Sequence, residues 1–268
     1  MPWNPEIYNQ FKNIRFQPFF DLADLIADDQ SMKAIDLGCG TGEQTAILAE
    51  KFPESNFTGI DSSPEMLEKT DDFQHDRLQF KQMTTEEILE SDERWDLIFS
   101  NAALQWSDRH EELFPKLISK LNPGGQLAVQ MPYQPGNTLN QILSGLASEE
   151  PFNSQLNGWN LHSPVLTLDE YARILFDNGI RELSLFQKVY PIIAEEHKTL
   201  FNFISGSALI PYLERLTGDQ QTIFTTEFNR RIAKAFPKLP AIYSFKRILM
   251  YGRKIQEKTD SGNCETDI

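Results

Sequence analysis

The sequence predicts an α/β fold with a mostly parallel, seven-stranded sheet and helices on both of its faces. Three observations predict it: short apolar runs alternate with helical patterns, a glycine-rich turn follows the first run, and two longer strand-like runs lie near the end. The predicted strands cover residues 34–37, 57–60, 78–81, 95–100, 126–131, 181–190 and 241–251. Near-continuous apolar strands are typical of a sheet that is buried on both faces.

Helix signals separate the strands in the first half of the chain. Leu48 and Phe52 keep helical spacing after the first strand, and Ser63-Pro64 is typical of an N-cap followed by proline at the first helical position. An Asn-Pro-Gly-Gly stretch at 122–125 predicts the end of the helix before the fifth strand.

The second half has a different organisation. Thr167 and Glu170 have the spacing of a capping box and start a further helix. Residues 195–238 are mainly helical in pattern and lie between the last two strands, so we expect them to form a helical cap over the carboxyl edge of the sheet. We expect a single domain over residues 1–268, with a frayed polar tail at 256–268.

Composition excludes several classes of protein. The chain has 268 residues, 25 Lys+Arg and 39 Asp+Glu, and therefore a net charge of −14. This balance argues against broad contact with nucleic acid, which needs clustered Lys and Arg. The sequence has no signal-peptide pattern, no apolar run of membrane-spanning length, and only Cys39 and Cys264. We therefore expect a cytoplasmic protein without a membrane anchor or a bound metal.

The glycine turn after the first strand is the most informative feature. Gly38, Gly40 and Gly42 stand at alternate positions, which lets the backbone turn sharply and lets a flat ligand approach without Cβ collisions. Asp61 ends the next strand, near the roughly 20-residue offset of a carboxylate that accepts from ribose hydroxyls. The ligand is therefore expected to contain a ribose.

Two details distinguish among ligands with a ribose. A dinucleotide site has a third glycine where the helix faces the pyrophosphate, but this chain has Glu43, an unfavourable neighbour for a diphosphate. Asp36, just before the turn, is well placed to receive an ammonium group. Ribose and ammonium without phosphate indicate S-adenosyl-L-methionine; the alternative is a tight glycine turn beside a solvated aspartate.

The motifs resemble those of the class I S-adenosylmethionine-dependent methyltransferases, which have a Rossmann-like sheet. The resemblance runs from the glycine turn through 61–64 and 96–101 to 122–125. Within this class, the chain is similar over nearly its whole length to the trans-aconitate methyltransferase family. The stretches that carry the closer similarity are Trp3-Asn4-Pro5 with Tyr8, Phe11 and Arg15, then 59–64, 101–106, 127–132 and 245–247.

The resemblance implies a set of cofactor contacts. Asp61 would bind the ribose diol, Asn101 would lie near the methionine portion, and the loop after the third strand would flank the adenine. The cofactor-binding residues implied are Asp36, Gly38, Gly40, Gly42, Asp61, Ser62, Met66, Met83, Thr84 and Asn101. Thr84 stands where relatives usually have an aspartate for the adenine amino group, so we expect a weaker contact there.

The resemblance also implies a small organic acid, of the trans-aconitate type, as methyl acceptor. A carboxylate with a pKa of about 4.3 is already ionised at neutral pH, so no catalytic base is expected and the protein acts by positioning. We expect substrate contacts from Trp3, Tyr8, Arg15, Trp106 and Arg247. The trans-aconitate enzymes have an arginine where this chain has Ile210, so we expect weaker recognition of a tricarboxylate.

Other interpretations stay open at this point. An amine, a phenol or a carrier-bound acid could accept the methyl group, and an amine or phenol would need a base, for which Asp108 and His110 are the candidates. A module that binds the cofactor without catalysis is a further alternative. Trp3, Tyr8 and Trp106 could also be packing residues rather than substrate contacts.

Overall fold

A computed structural model of the chain describes residues 12–255, with side chains from Phe16 onward. Its strands are β1 (Lys33–Leu37), β2 (Asn56–Asp61), β3 (Leu78–Gln82), β4 (Trp95–Asn101), β5 (Leu121–Pro132), β6 (Ile180–Ala194) and β7 (Ala241–Lys254). They form one sheet in the order β3-β2-β1-β4-β5-β7-β6. Strands β1 to β5 are parallel, whereas β7 is antiparallel to both β5 and β6. The predicted α/β class and mostly parallel sheet are confirmed.

Helices connect these strands. In the described range they are α1 (Lys12–Ala23), α2 (Glu43–Lys51), α3 (Pro64–Leu67), α4 (Thr85–Glu90), α5 (His110–Ser119), α6 (Thr138–Ala147), α7 (Phe152–Gln155), α8 (Leu168–Asp177), α9 (His197–Ser205), α10 (Ile210–Leu213) and α11 (Gly218–Ala235). The predicted capping box at the start of α8 is present, since Thr167 and Glu170 each accept from the other's backbone N–H. None of these helices is both long enough and apolar enough to pass through a bilayer.

One boundary differs from the prediction. Residues 122–125 lie within β5, which begins at Leu121, and the preceding helix already ends at Ser119. Gly124 has a φ of 78°, and the pairing of β4 with β5 shifts register between Trp95 and Leu97. The glycine therefore allows an irregular entry into the strand, where the sequence suggested only a turn.

Both faces of the sheet are buried. Ile35 and Ile98 pack in one apolar cluster, while their neighbours Ala34 and Leu97 pack in another on the opposite face. Consecutive residues of β1 and β4 thus serve different layers, which explains why these strands are continuous apolar runs in the sequence.

The range predicted as a cap contains α9, α10 and α11, between β6 and β7. Apolar side chains of this range form a third cluster with α6 and with the adjoining ends of β6 and β7. The rings of Phe203 and Phe245 meet edge to face at 4.9 Å within it. This packing holds α9 beside the carboxyl edge of the parallel strands. The expected tail, 256–268, lies outside the described residues.

Candidate functional site

A cavity of about 790 Å³ lies at the carboxyl edge of the sheet. Its wall includes residues that follow β1, β2 and β4. Other residues of the wall belong to α9 and β7. Strands β1 and β4 are neighbours in the sheet: β2 and β3 follow on the side of β1, and β5 follows on the side of β4. The strand order therefore reverses direction between β1 and β4. Ligands of open parallel sheets bind at such a switch point, outside the carboxyl ends of the strands.

The three glycines of the turn have different surroundings. All have positive φ, but a Cβ at Gly38 would lie 2.2 Å from the Cβ of Ala103, and one at Gly42 would lie 2.8 Å from the ring of Phe80. A Cβ at Gly40 would meet no atom of the described residues within 4 Å, and Gly40 lines the cavity. Gly38 and Gly42 therefore permit close packing, whereas Gly40 presents bare backbone to a ligand.

Asp61 connects the end of β2 with this turn. Its Oδ2 accepts a hydrogen bond from the Gly40 amide at 2.9 Å, and its Oδ1 accepts from the Ser63 amide at 3.0 Å. The carboxylate lines the cavity and is partly exposed. Each carboxylate oxygen has a second lone pair, so Asp61 can also accept from a ligand's hydroxyl groups.

Two amide oxygens in the wall have acceptor capacity to spare. Asn101 donates from Nδ2 to Gln44 at 2.9 Å, and Gln105 donates from Nε2 to the carbonyl of Ala102 at 2.6 Å. Neither Asn101 Oδ1 nor Gln105 Oε1 accepts a hydrogen bond from the described residues, although both oxygens are buried. Such oxygens fit a ligand that brings hydrogen-bond donors, such as an ammonium group.

Asp36 lies behind the glycine turn and not in the cavity wall. Its side chain is buried, and its Oδ2 accepts from the Thr45 hydroxyl at 2.6 Å. Burial raises the pKa of this carboxyl to about 7; the bond from Thr45 lowers it and the charge of Asp61 raises it further. Asp36 is therefore buried behind the wall, with one of its two oxygens bonded to Thr45. Its cofactor role stays a prediction.

The residues expected around the adenine divide into two groups. Met66 lines the cavity, while Ser62, Met83 and Thr84 do not. Thr84 is the N-cap of α4, where it exchanges hydrogen bonds with Glu87, and Met83 packs against an apolar cluster. The placement of Ser62, Met83 and Thr84 beside the adenine stays a prediction.

Two of the expected substrate residues line the cavity. Trp106 is 54% exposed there. Arg247 is only 7% exposed. Its guanidinium donates to Gln130 at 2.5 Å and lies 4.9 Å from the centre of the Phe245 ring. Trp3 and Tyr8 fall outside the described residues, and Arg15 belongs to α1 but its side chain is likewise outside the description.

Ile210, which stands where the resembling family has an arginine, lies away from the large cavity. Ile210 lines a separate cavity of about 150 Å³, together with residues of α10 and α11. It is not part of the wall of the larger cavity. The weaker recognition of a tricarboxylate that was expected from Ile210 stays a prediction.

Neither candidate base faces the cavity. His110 is fully buried: its Nδ1 accepts from the Tyr171 hydroxyl at 2.5 Å and its Nε2 donates to the Leu104 carbonyl at 2.9 Å. Burial lowers the pKa of the imidazole. Asp108 is exposed and also lies outside the wall. His110 is therefore a packing residue that fixes the loop after β4.

Several wall residues are not evident from sequence reasoning. Gln105 lies in the 101–106 stretch that resembles the family, but nothing in its local pattern indicates an acceptor. Phe203 and Ile204 come from α9, whose apolar pattern is the same as that of any packed helix. Within the described residues, no three His, Cys, Asp or Glu side chains are grouped to hold a metal ion.

The chain matches known proteins over most of its length. Residues 28–195 match the family described as "Methyltransferase domain". The trans-aconitate 2-methyltransferase of Deinococcus radiodurans is 39% identical over 255 residues, which are 93% of this chain and 97% of that protein. The enzymes of the same name from Variovorax paradoxus and Escherichia coli strain SE11 are each 30% identical, over 88% and 95% of this chain and 91% and 99% of theirs.

Solved structures share the fold at lower identity. The YcgJ protein of Bacillus subtilis aligns with a TM-score of 0.59 at 15% identity, over 90% of this chain and 99% of that one. Phosphoethanolamine N-methyltransferase 2 of Haemonchus contortus, solved with S-adenosyl-L-methionine, aligns with a TM-score of 0.53 at 15% identity, over 90% of this chain and 52% of that one. The chain therefore belongs to the S-adenosylmethionine-dependent methyltransferase family that includes the trans-aconitate 2-methyltransferases.

Proposed function

We propose that the protein transfers a methyl group to a carboxylate of a small organic acid, with trans-aconitate as the first candidate. The observation that carries this proposal is Arg247, whose buried guanidinium lines the same cavity as Gly40 and Asp61. A guanidinium matches the two oxygens of a carboxylate better than an ammonium does. The names of the relatives support the same class of acceptor.

The residues around the glycine turn fit the cofactor. When bound, S-adenosylmethionine supplies an electrophilic methyl group on a sulfonium. We assign the ribose hydroxyls to Asp61, the flat part of the nucleoside to the open backbone at Gly40, and the ammonium to the spare oxygens of Asn101 and Gln105. The volume of about 790 Å³ is within the roughly 300–1,000 Å³ typical of small-molecule sites.

On the acceptor side, the protein's task is alignment. Arg247 would hold one carboxylate of the acid, while Phe203, Ile204 and Phe245 exclude water around it. The nucleophilic carboxylate is ionised at neutral pH, so its attack needs no base. This agrees with the location of His110 and Asp108 outside the wall. Holding the reacting atoms at about 3–3.5 Å then supplies the rate enhancement.

A panel of acceptors tests the proposal. The protein is incubated with methyl-labelled S-adenosylmethionine and, separately, trans-aconitate, cis-aconitate, citrate, a primary amine and a phenol. We expect labelled ester from the unsaturated acids, sensitive to mild alkali, and a large loss of this product in Arg247→Met. Label on the amine or phenol alone would overturn the carboxylate assignment, and tight cofactor binding with no labelled product would favour a non-catalytic module. A cytoplasmic location and the absence of nucleic-acid partners stay predictions from the sequence.

A further inference from the structure

The contact between Gln130 and Arg247 places a buried amide directly behind the cation of the cavity. Gln130 is fully buried in β5, and its Oε1 accepts from Arg247 Nη1 at 2.5 Å. In the register of β5 with β7, Gln130 pairs with Leu249 and Pro132 pairs with Arg247. Side chains two residues apart share a face of the sheet, so Gln130 and Arg247 are diagonal neighbours on one face.

The backbone of Gln130 is held in the middle of the sheet. It pairs with Asn101 on β4 and with Leu249 on β7, and its carbonyl accepts from the amide of Ala102 at 2.9 Å. The same strand position therefore adjoins the loop after β4, which lines the cofactor side, and Arg247, which lines the acceptor side. A side chain on so fixed a backbone can hold a guanidinium in one orientation.

The amide of Gln130 is not fully used by the fold. Its Nε2 is buried and has no hydrogen-bond partner among the described residues. A buried donor without a partner is unfavourable, and an apolar side chain of similar shape would avoid it. The stability of the fold therefore does not explain a glutamine at this position, whereas the hydrogen bond from Arg247 to its Oε1 does.

We propose that Gln130 is a positioning residue for the acid: its neutral amide oxygen aims the Arg247 guanidinium into the cavity without cancelling its charge. This inference rests on the proposed function, because it assumes a carboxylate acceptor. A glutamate in the same place would also hold the guanidinium, but its negative charge would compete with the substrate's. The uncharged acceptor is thus a determinant of affinity for an anionic substrate.

Steady-state kinetics of two substitutions test the inference. Gln130→Met removes the acceptor oxygen at nearly constant volume, and Gln130→Glu keeps an oxygen but adds a charge. In both variants we expect the KM for the acid to rise about tenfold or more, with kcat changed less than about threefold and the dissociation constant of S-adenosylmethionine changed less than about twofold. In an Arg247→Lys background, the effect of Gln130→Met on kcat/KM should largely disappear.

Gln126 supplies a matched control. It is also a fully buried glutamine of β5, but its amide bonds Ala27 and the Tyr251 hydroxyl instead of a cavity residue. Gln126→Met should lower the free energy of unfolding and leave the KM unchanged. Three outcomes would each overturn the inference while the acceptor assignment stands. They are an unchanged KM in Gln130→Met, an affinity of Gln130→Glu for the acid equal to that of the wild type, and equal losses of acid and cofactor affinity. If the wild type methylates no acid, both the inference on Gln130 and the proposed carboxylate acceptor are wrong.

Discussion

The carboxylate of Asp61 accepts a hydrogen bond from the backbone amide of Gly40 at 2.9 Å. This bond joins the end of β2 to the turn after β1, two elements that contribute adjacent parts of the cavity wall. One acidic side chain therefore shapes the turn and also faces the ligand. Its removal is expected to affect cofactor binding through both roles.

Asp61→Ala should weaken the binding of S-adenosylmethionine by about 1–3 kcal/mol, the usual loss for a hydrogen bond to a charged group. Asp61→Asn keeps one acceptor oxygen and should lose less. Titration calorimetry of the two variants measures both effects. Asp76→Ala, an exposed aspartate outside the wall, is the control, and an Asp61→Ala affinity equal to that of this control would mean that the ribose lies elsewhere.

Gly40 and Gly158 form a matched pair for testing the open backbone of the turn. Both have positive φ, 58° and 72°, and a Cβ at either would meet no described atom within 4 Å. Alanine should therefore destabilise the fold by roughly 1–2 kcal/mol at both positions, because each is left-handed.

Only the Gly40→Ala methyl group would enter the cavity, since Gly158 does not line it. We expect the dissociation constant of S-adenosylmethionine to rise about tenfold or more in Gly40→Ala and to stay unchanged in Gly158→Ala. Unfolding in urea checks that the losses of stability match. Equal cofactor affinities in the two variants would show that the ligand does not lie against Gly40.

The order of strands and helices was predictable because of how the sheet is buried. Strands such as β1 and β4 bury both faces. They are therefore near-continuous apolar runs in the sequence, a pattern that distinguishes them from exposed elements. Gly38, Gly40 and Asp61 were predictable for a related reason, since a turn directly after a strand and an acid at the next strand end must meet at one edge of a parallel sheet.

Other features of the candidate site depend on side-chain contacts that the sequence does not show. Asp36 is turned towards Thr45, and Thr84 is engaged by Glu87, neither of which a spacing rule reveals. Gln130 and Arg247 are 117 residues apart in the chain and meet only because β7 inserts between β5 and β6. Long-range antiparallel pairing of this kind cannot be derived from local pattern.

Asp36 should make stability depend on pH. Burial raises its pKa to about 7 in the folded protein, against about 3.9 when unfolded. Between these values the folded state binds more protons, so this group's contribution to the free energy of unfolding falls as pH rises from about 4 to about 7.

Asp36→Asn should remove that dependence, because its amide cannot ionise and can still accept from Thr45. The stability of the wild type relative to this variant should fall with a slope of up to about 1.4 kcal/mol per pH unit in that window. Urea unfolding at pH 5, 6 and 7 measures the slope. Parallel curves for the two proteins would mean that Asp36 is ionised throughout.

Asp21 attaches α1 to the edge strand β6. Its Oδ2 accepts from the Tyr190 hydroxyl at 2.6 Å and from Lys188 Nζ at 2.7 Å. Burial raises the pKa of this carboxyl, but the bonds from Lys188, Tyr190 and Gln17 outweigh burial and hold it below its usual value. Its stabilising contribution is therefore present above the unfolded pKa of about 4 and is lost as pH falls through the folded value.

Asp21→Ala should lower the free energy of unfolding by about 1–3 kcal/mol at pH 7, because it leaves the hydroxyl of the buried Tyr190 and the ammonium of Lys188 without their acceptor. The variant should also raise the KM for the acid, since α1 contributes Phe16 to the cavity wall. Asp24→Ala removes only an exposed ion pair with Lys51 and should change stability by less than about 1 kcal/mol. If urea unfolding gave the same loss for both variants, or if KM were unaffected by Asp21→Ala, α1 would be held against the cavity by its apolar packing and not by this carboxylate.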